Sequence, residues 1–317
     1  MKITAIVCGR PDQIGEKLAR TALKAARDEG AGIELINLMK LNIKPCINCG
    51  TCVRVMRDPD FKGTCPLKDD DMAWLDEQML SSDGLIFVAP MYEATAAGTY
   101  RIMCDRIGPS HDVTFMRMTY EARIAAGLDP KIDTRWLRSR AAGIIAHGGS
   151  EWSYLGFPTT ASPCVSMGMT INDYYQVEWN QDVPGNPEKL ARAEQLGRNI
   201  AREAGKHPED RLYHGPEGSC PVCHCNVIRA DETGGTAACA LCGAVGIPVI
   251  REDGKIILQM TEEEKKRSHL YESGRLQHAQ DLKHNQIVRQ GLDQEAIRKA
   301  FEPLKKEIPL SLPDRQG

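Results

Sequence analysis

The 317-residue chain has no apolar run approaching the roughly 18 residues that a membrane helix requires, so no membrane span is expected. Its opening stretch, Met1–Gly9, lacks both the apolar length and the cleavage context of a signal peptide. Export is therefore not expected, and the expected location is the cytoplasm. A charge excess of one sign is also missing. Forty basic residues face 43 acidic ones, for a formal net charge of −3. That balance gives no reason to expect a general phosphate-backbone binder, so nucleic acid is not an expected partner. Repeats and low-complexity tracts are absent as well. What remains is ordinary globular usage, 42% hydrophobic and 26% charged, long enough for one large domain or two unequal ones.

Cysteine, by contrast, is plentiful. Twelve thiols in a chain with no secretory signal fit a disulfide scaffold poorly. Eight of them form two tight groups: Cys46, Cys49, Cys52 and Cys65, then Cys220, Cys223, Cys239 and Cys242. In a reducing compartment such groups point to metal or redox chemistry.

Over the first two hundred residues, short apolar runs alternate with amphipathic stretches. Strands are predicted at Lys2–Cys8, Gly32–Asn37, Gly84–Ala89, Ala141–Ala146 and Met169–Val177. Helices are predicted at Ile14–Glu29, Thr95–Ile107 and Pro187–Gly205, with another opening at the carboxylates Asp69–Asp71. Such alternation calls for a parallel sheet with right-handed crossovers, whose ligands sit beyond the carboxyl ends of the strands. Segment 108–140 is too long for a simple connection and is expected to cover the pocket or build a subunit contact. Pro208, Gly215, Pro216 and Gly218 mark a boundary after the last helix. The predicted division is residues 1–207, with a cysteine-rich loop at 44–70, then a small metal unit at 216–260 and a charged helical tail at 261–317.

The first cysteine group reads C-x2-C-x2-C-x12-C. Two intervening residues let successive sulfurs face one centre, and three such thiolates with a distant fourth suit a cubane cluster. Zinc, or reduced thiols holding no metal, are the alternatives. The second group reads C-x2-C-x15-C-x2-C, the spacing of a zinc ribbon; a single iron in the same tetrathiolate is the alternative. His224 and Cys225 lie beside it as spare ligands. The turn Cys8–Lys17 (CGRPDQIGEK) carries Gly9 and Gly15, with helix amides beginning near Ile14 and with Arg10 and Lys17 to meet an anion. Its spacing is neither a dinucleotide fingerprint nor a Walker loop. Ala89–Glu93 (APMYE) and His147–Ser150 (HGGS) each follow a strand, where Met91 and Tyr92 suit a flat ring and the glycines admit backbone amides.

In this order the residues resemble the flavodoxin-like NAD(P)H-dependent FMN reductases, and among them the iron–sulfur flavoproteins. The resemblance covers residues 1–205. It rests on Lys44-Pro45-Cys46-Ile47-Asn48-Cys49-Gly50-Thr51-Cys52, then Cys65 and Asp70-Asp71-Met72, then Pro90-Met91-Tyr92 and Asp105-Arg106. It implies a flavodoxin-like, doubly wound five-stranded parallel sheet with FMN phosphate on Gly9, Arg10, Gln13, Ile14, Gly15 and Lys17. The flavin ring would lie between Pro90, Met91, Tyr92, Glu93 and His147, Gly148, Gly149, Ser150, with Tyr92, Glu93 and His147 as catalytic candidates. It also implies a four-iron, four-sulfur cluster on Cys46, Cys49, Cys52 and Cys65. Cys8 and Arg10 replace the serines usual in the phosphate loop, and Glu16 stands where an asparagine is usual. A carboxylate there needs neutralising, for which Arg10 and Lys17 are the sequence candidates.

The expected activity is FMN-dependent electron transfer from NAD(P)H or ferredoxin to a small acceptor such as a quinone or a flavin. Assembly as a homodimer or homotetramer is expected, with the ribbon as a staple. The alternative is a redox or metal sensor without turnover of its own. The stretch Asn226–Ala238 contains Arg229 as its one basic residue, which argues against nucleic acid at the ribbon.

Overall fold

The computed structural model describes residues 1–52, 65–232 and 234–311. Five parallel strands form the central sheet: β1 (Lys2–Val7), β2 (Gly32–Asn37), β3 (Gly84–Tyr92), β5 (Ala141–His147) and β6 (Thr170–Val177). Their spatial order is β2-β1-β3-β5-β6, and the short β4 (Thr95–Ala96) pairs back on β3 as an antiparallel hairpin. This is the flavodoxin-like order, with its switch point between β1 and β3.

Side chains alternate along each strand, so each sheet face has its own core. Ile3, Ala5 and Val7 of β1, with Ile86 and Val88 of β3, pack under α1 (Ile14–Asp28) and α6 (Pro187–Ala204). Gly197 of α6 lies against the backbone of Ala22 in α1; a Cβ there would sit 1.9 Å from the Ala22 carbonyl oxygen, so the two helices meet through glycine. On the opposite face, Ile6, Leu85, Phe87 and Ile144 pack under α2 (Met72–Leu80), α3 (Gly98–Ile107) and α5 (Gly156–Ser166). Arg140, at the start of β5, is 1% exposed and donates to the carbonyls of Leu80, Ser82, Arg135 and Arg138. Burial pulls its pKa down to about 10.

Segment 108–140 contains α4 (Val113–Ala125) and a turn on which Trp136 meets His111 edge-to-face at 4.6 Å. Beyond the sheet, β7 (Ile228–Ala230), β8 (Ala237–Cys239), β9 (Val245–Ile250) and β10 (Ile256–Gln259) form an antiparallel sheet in the order β10-β9-β8-β7. Its buried cysteines, with Ala244 and Leu258, are continuous with the core under α3 and α5. Thr261 and Glu264 close a reciprocal capping box on α7 (Glu262–Lys265).

Met1–Leu276 form one compact unit and residues from Gln277 onward a second. The chain ends in the helices α8 (Glu272–Gln290) and α9 (Gln294–Glu307); Asp293 caps α9 by accepting from the amides of Glu295 and Ala296. No helix of the described residues is long and apolar enough to cross a membrane.

Candidate functional site

Because the five strands run parallel, β1, β3, β5 and β6 all end at one edge, and the loops that follow them enclose a cavity of about 290 Å3. The turn after β1 contributes Gly9, Arg10, Gln13, Ile14 and Gly15; the end of β3 contributes Pro90, Met91 and Tyr92; the end of β5 contributes His147, Gly148 and Gly149. Most of the candidates thus meet in one place. Lys17, Glu93 and Ser150 do not line it. Two residues that the sequence reading missed do, Asn180 and Gln181, from the turn after β6. A single polar pair outside any strand or helix pattern gives no sequence signal of its own.

Backbone strain gathers at the same edge. Asp12, Glu93, Ala94 and Trp179 all have positive φ, between 49° and 63°. For non-glycine residues such conformations persist where surrounding structure imposes them, and they cluster at functional sites. Four aromatic side chains on these loops stand exposed: Tyr92, Trp152, Tyr154 and Trp179.

The α1 N-terminus opens onto the cavity. Gln13 caps it through the backbone alone, with no side-chain hydrogen bond, so its first amides keep their capacity for an anion. Glu16 is turned away from that role. Its carboxylate accepts from Asn37 Nδ2 at 2.7 Å, from the Asp12 amide at 3.1 Å and from Arg20 at 3.3 Å. Burial pushes the Glu16 carboxyl up, but these three donors outweigh it and hold it below the usual range. The neutralising cation is therefore Arg20, where the sequence pointed to Arg10 or Lys17. Asn37 also donates to the Gly9 carbonyl, which fixes the turn that Glu16 braces from below. Cys8, in the place of a serine, is buried, and burial pushes its thiol up to about 11. It is an inert packing group.

His147 is 6% exposed, and desolvation pulls its pKa down to about 4, so the ring is neutral at pH 7. Its Nδ1 lies 2.9 Å from Asn180 Nδ2, while its Nε2 is buried without a hydrogen-bond partner. An orphaned ring nitrogen beside a cavity fits a ligand carrying acceptors.

Both ends of the cysteine-rich loop are tied down. Arg106 of α3, with its side chain 1% exposed, forms an ion pair with Asp70 and donates to the Lys44 carbonyl at 2.9 Å. The Lys44 amide donates to Asp70, and Asn42 and Asp71 exchange hydrogen bonds. Asp105 pairs with Arg101 at 3.5 Å, so these two neighbours in sequence serve different partners. Within the loop Cys46 and Cys49 are exposed, and Cys52 and Cys65 half-buried. Burial raises the Cys52 thiol, and proximity to Cys46, Cys49 and Cys65 adds to the rise. The four thiols are thus near enough to influence one another electrostatically. Residues 53–64 lie outside the described residues.

The second cysteine group is compact. The sulfurs of Cys220, Cys223, Cys239 and Cys242 are all buried and lie within 4.8 Å of one another. The Cys220–Cys242 and Cys223–Cys239 pairs are 3.7 and 3.4 Å apart. With Zn–S bonds near 2.3 Å, a tetrahedral site spaces its sulfurs by about 3.8 Å. The set fits one tetrahedral ion. His224, next to Cys223, stacks on Tyr213 with ring centroids 3.7 Å apart instead of joining the sulfurs.

Comparison with known proteins decides the family. Residues 1–154 match the family described as NADPH-dependent FMN reductase. Over nearly its whole length the chain is 30% identical to a flavone synthase of Aspergillus candidus, across 97% of this chain and 95% of that protein. The chain belongs to the NADPH-dependent FMN reductase family. It is a flavin-dependent oxidoreductase, and the family implies a nicotinamide donor. A solved structure titled flavone reductase superposes with a TM-score of 0.83 at 27% identity, covering 99% of this chain and all of that one. An iron–sulfur flavoprotein of Methanosarcina thermophila is 35% identical over 107 residues, 33% of this chain and 52% of that protein.

Proposed function

We propose that the chain is an FMN-dependent reductase that uses NAD(P)H to saturate the conjugated carbon–carbon double bond of a flat aromatic enone of the flavone class. The observation that supports this most is the full-length likeness. One relative is named for making a flavone and one structure for reducing one, and both match across the ribbon and tail as well as the sheet. The reaction consumes NAD(P)H and one proton, and the double bond gains two hydrogens while the nicotinamide is oxidised. Quinones and free flavins are the acceptor alternatives, and ferredoxin the donor alternative.

Bound FMN would supply the hydride relay between donor and acceptor. In this reading the α1 amides with Gly9, Arg10, Gln13, Ile14 and Gly15 hold the phosphate. Pro90, Met91 and Tyr92 flank one side of the ring, and the Gly148–Gly149 pair admits backbone amides to the other. Tyr92, with Trp152, Tyr154 and Trp179, offers a flat aromatic substrate surfaces to stack on. Tyr92 offers its hydroxyl at the cavity and the Glu93 carboxylate follows it outside the lining, whereas His147, neutral and buried, serves as a hydrogen-bond donor. Residues 1–207 carry the flavin chemistry in this reading, 216–260 the metal and 261–317 the tail. Cys220, Cys223, Cys239 and Cys242 hold zinc or a single iron, and Cys46, Cys49, Cys52 and Cys65 hold a four-iron cluster. Cysteines grouped for metal, and not spread as a disulfide scaffold, accord with a cytoplasmic location.

The test is anaerobic turnover of FMN-loaded protein with NADH or NADPH and a panel of flavones, quinones and free flavin. Flavone-dependent nicotinamide oxidation with a product heavier by two hydrogens is expected. Turnover of quinone or flavin with flavones untouched overturns the substrate assignment.

A further inference from the structure

His147 lines the cavity, and one of its ring nitrogens has a purpose that neither the fold nor the family likeness supplies. His147 Nε2 is buried and unpartnered. It faces the first turn of α1 so closely that a Cβ on Gly15 would sit 3.0 Å from it and 3.2 Å from Val7 Cγ2. Gly15 is therefore the residue that lets the imidazole edge reach the helix N-terminus. On the other edge of the ring, the tautomer is set. Gln181 Nε2 donates to Asn180 Oδ1 at 3.1 Å, which turns the Asn180 amide nitrogen towards the ring, where it donates to Nδ1 at 2.9 Å. With Nδ1 accepting, the proton of the neutral ring is on Nε2. A buried donor without an acceptor costs about 1–3 kcal/mol, so a fold retains one where a ligand completes it.

We propose that the Nε2–H of His147, aimed by Asn180, donates to a phosphate oxygen of FMN, making Asn180 a positioning residue for the cofactor. The orphan amides of α1 and the Arg10 side chain share the cavity with this donor, so the acceptor that suits all three is anionic. Depression of the ring's pKa keeps a single N–H for this purpose at neutral pH, and the Asn180–Gln181 pair decides which nitrogen carries it. The inference rests on the flavin reading above.

The test compares FMN with riboflavin, which lacks the phosphate. Flavin-free protein is titrated with each ligand, followed by flavin fluorescence, for the wild type, His147→Leu, Asn180→Leu and His147→Gln. His147→Leu is expected to reduce the ratio of FMN to riboflavin affinity roughly tenfold, and Asn180→Leu by somewhat less, with riboflavin affinity held. His147→Gln places an amide nitrogen near the Nε2 position and should retain most of the ratio. Nitrogen-15 shifts should place the His147 proton on Nε2 in the wild type and show mixed tautomers in Asn180→Leu. Should His147→Leu fail to fold, Asn180→Leu and the tautomer measurement still decide. Equal weakening of both ligands, an unchanged ratio, or a proton on Nδ1 overturns the inference. Wild-type protein that binds neither flavin overturns the flavin reading as well, whereas a wild type that prefers FMN with an unmoved ratio in the variants sinks the inference alone.

Discussion

At His147, burial decides the charge state, and the decision has a consequence for stability. The unfolded chain protonates this ring near pH 6.5, whereas desolvation delays protonation in the folded chain to about 4. Between those values the unfolded state binds more protons, so stability falls as the pH falls through this window. From pH 8 to pH 5 the loss assigned to His147 is about 2 kcal/mol. Urea unfolding of flavin-free wild type and of His147→Gln should differ by about that much in pH dependence; equal slopes would contradict the assignment. The contacts of this ring were not readable from sequence, because Asn180 lies 33 positions away in a turn with no periodic signal. Glu16 shows the same limit. Its charge and position were plain in the sequence, but the identity of its partners, Arg20 on its own helix and Asn37 at the end of β2, depends on how the helix faces the sheet.

Elements with strong apolar periodicity were legible nearly to the residue. Gly32–Asn37 and the starts of α1 and α6 stand where the pattern put them. α5 was missed, since Gly156–Ser166 carries Pro158 and Pro163 and no charge, and so lacks the contrast between faces that marks a surface helix. The stretch Thr95–Ile107, expected as one helix, divides into β4 and α3 because Tyr92 and Thr95 pair across a tight turn. The cysteine pattern was legible, but the Arg106–Asp70 pair that fastens its loop was not, as the two residues are 36 positions apart. Arg106→Met leaves the Asp70 carboxylate buried and uncompensated, which should cost about 3–5 kcal/mol in urea unfolding, and adding Asp70→Leu should restore part of the loss. A double variant no more stable than Arg106→Met would show that the pair does not set the cost. At the ribbon, Cys239→Ser should lower metal by one ion per chain on elemental analysis and reduce the melting temperature, because a tetrathiolate ion contributes folding energy. An unchanged metal content would remove the tetrahedral assignment.

For the molecule as a whole, the parallel sheet does the organising. It brings the ends of β1, β3, β5 and β6 to one edge, and glycines, Tyr92 and His147, far apart in sequence, meet there around one cavity. The full-length match to proteins named for flavones includes the stretches of the antiparallel sheet and the tail as well as the flavin-type core. The measurement closest to the central claim is a single anaerobic turnover. FMN-loaded protein is reduced until its absorbance near 450 nm bleaches, then mixed with one equivalent of a flavone. The account predicts that the band returns without oxygen and that one equivalent of product gains two hydrogens. A band that stays bleached while the flavone is recovered unchanged would contradict it.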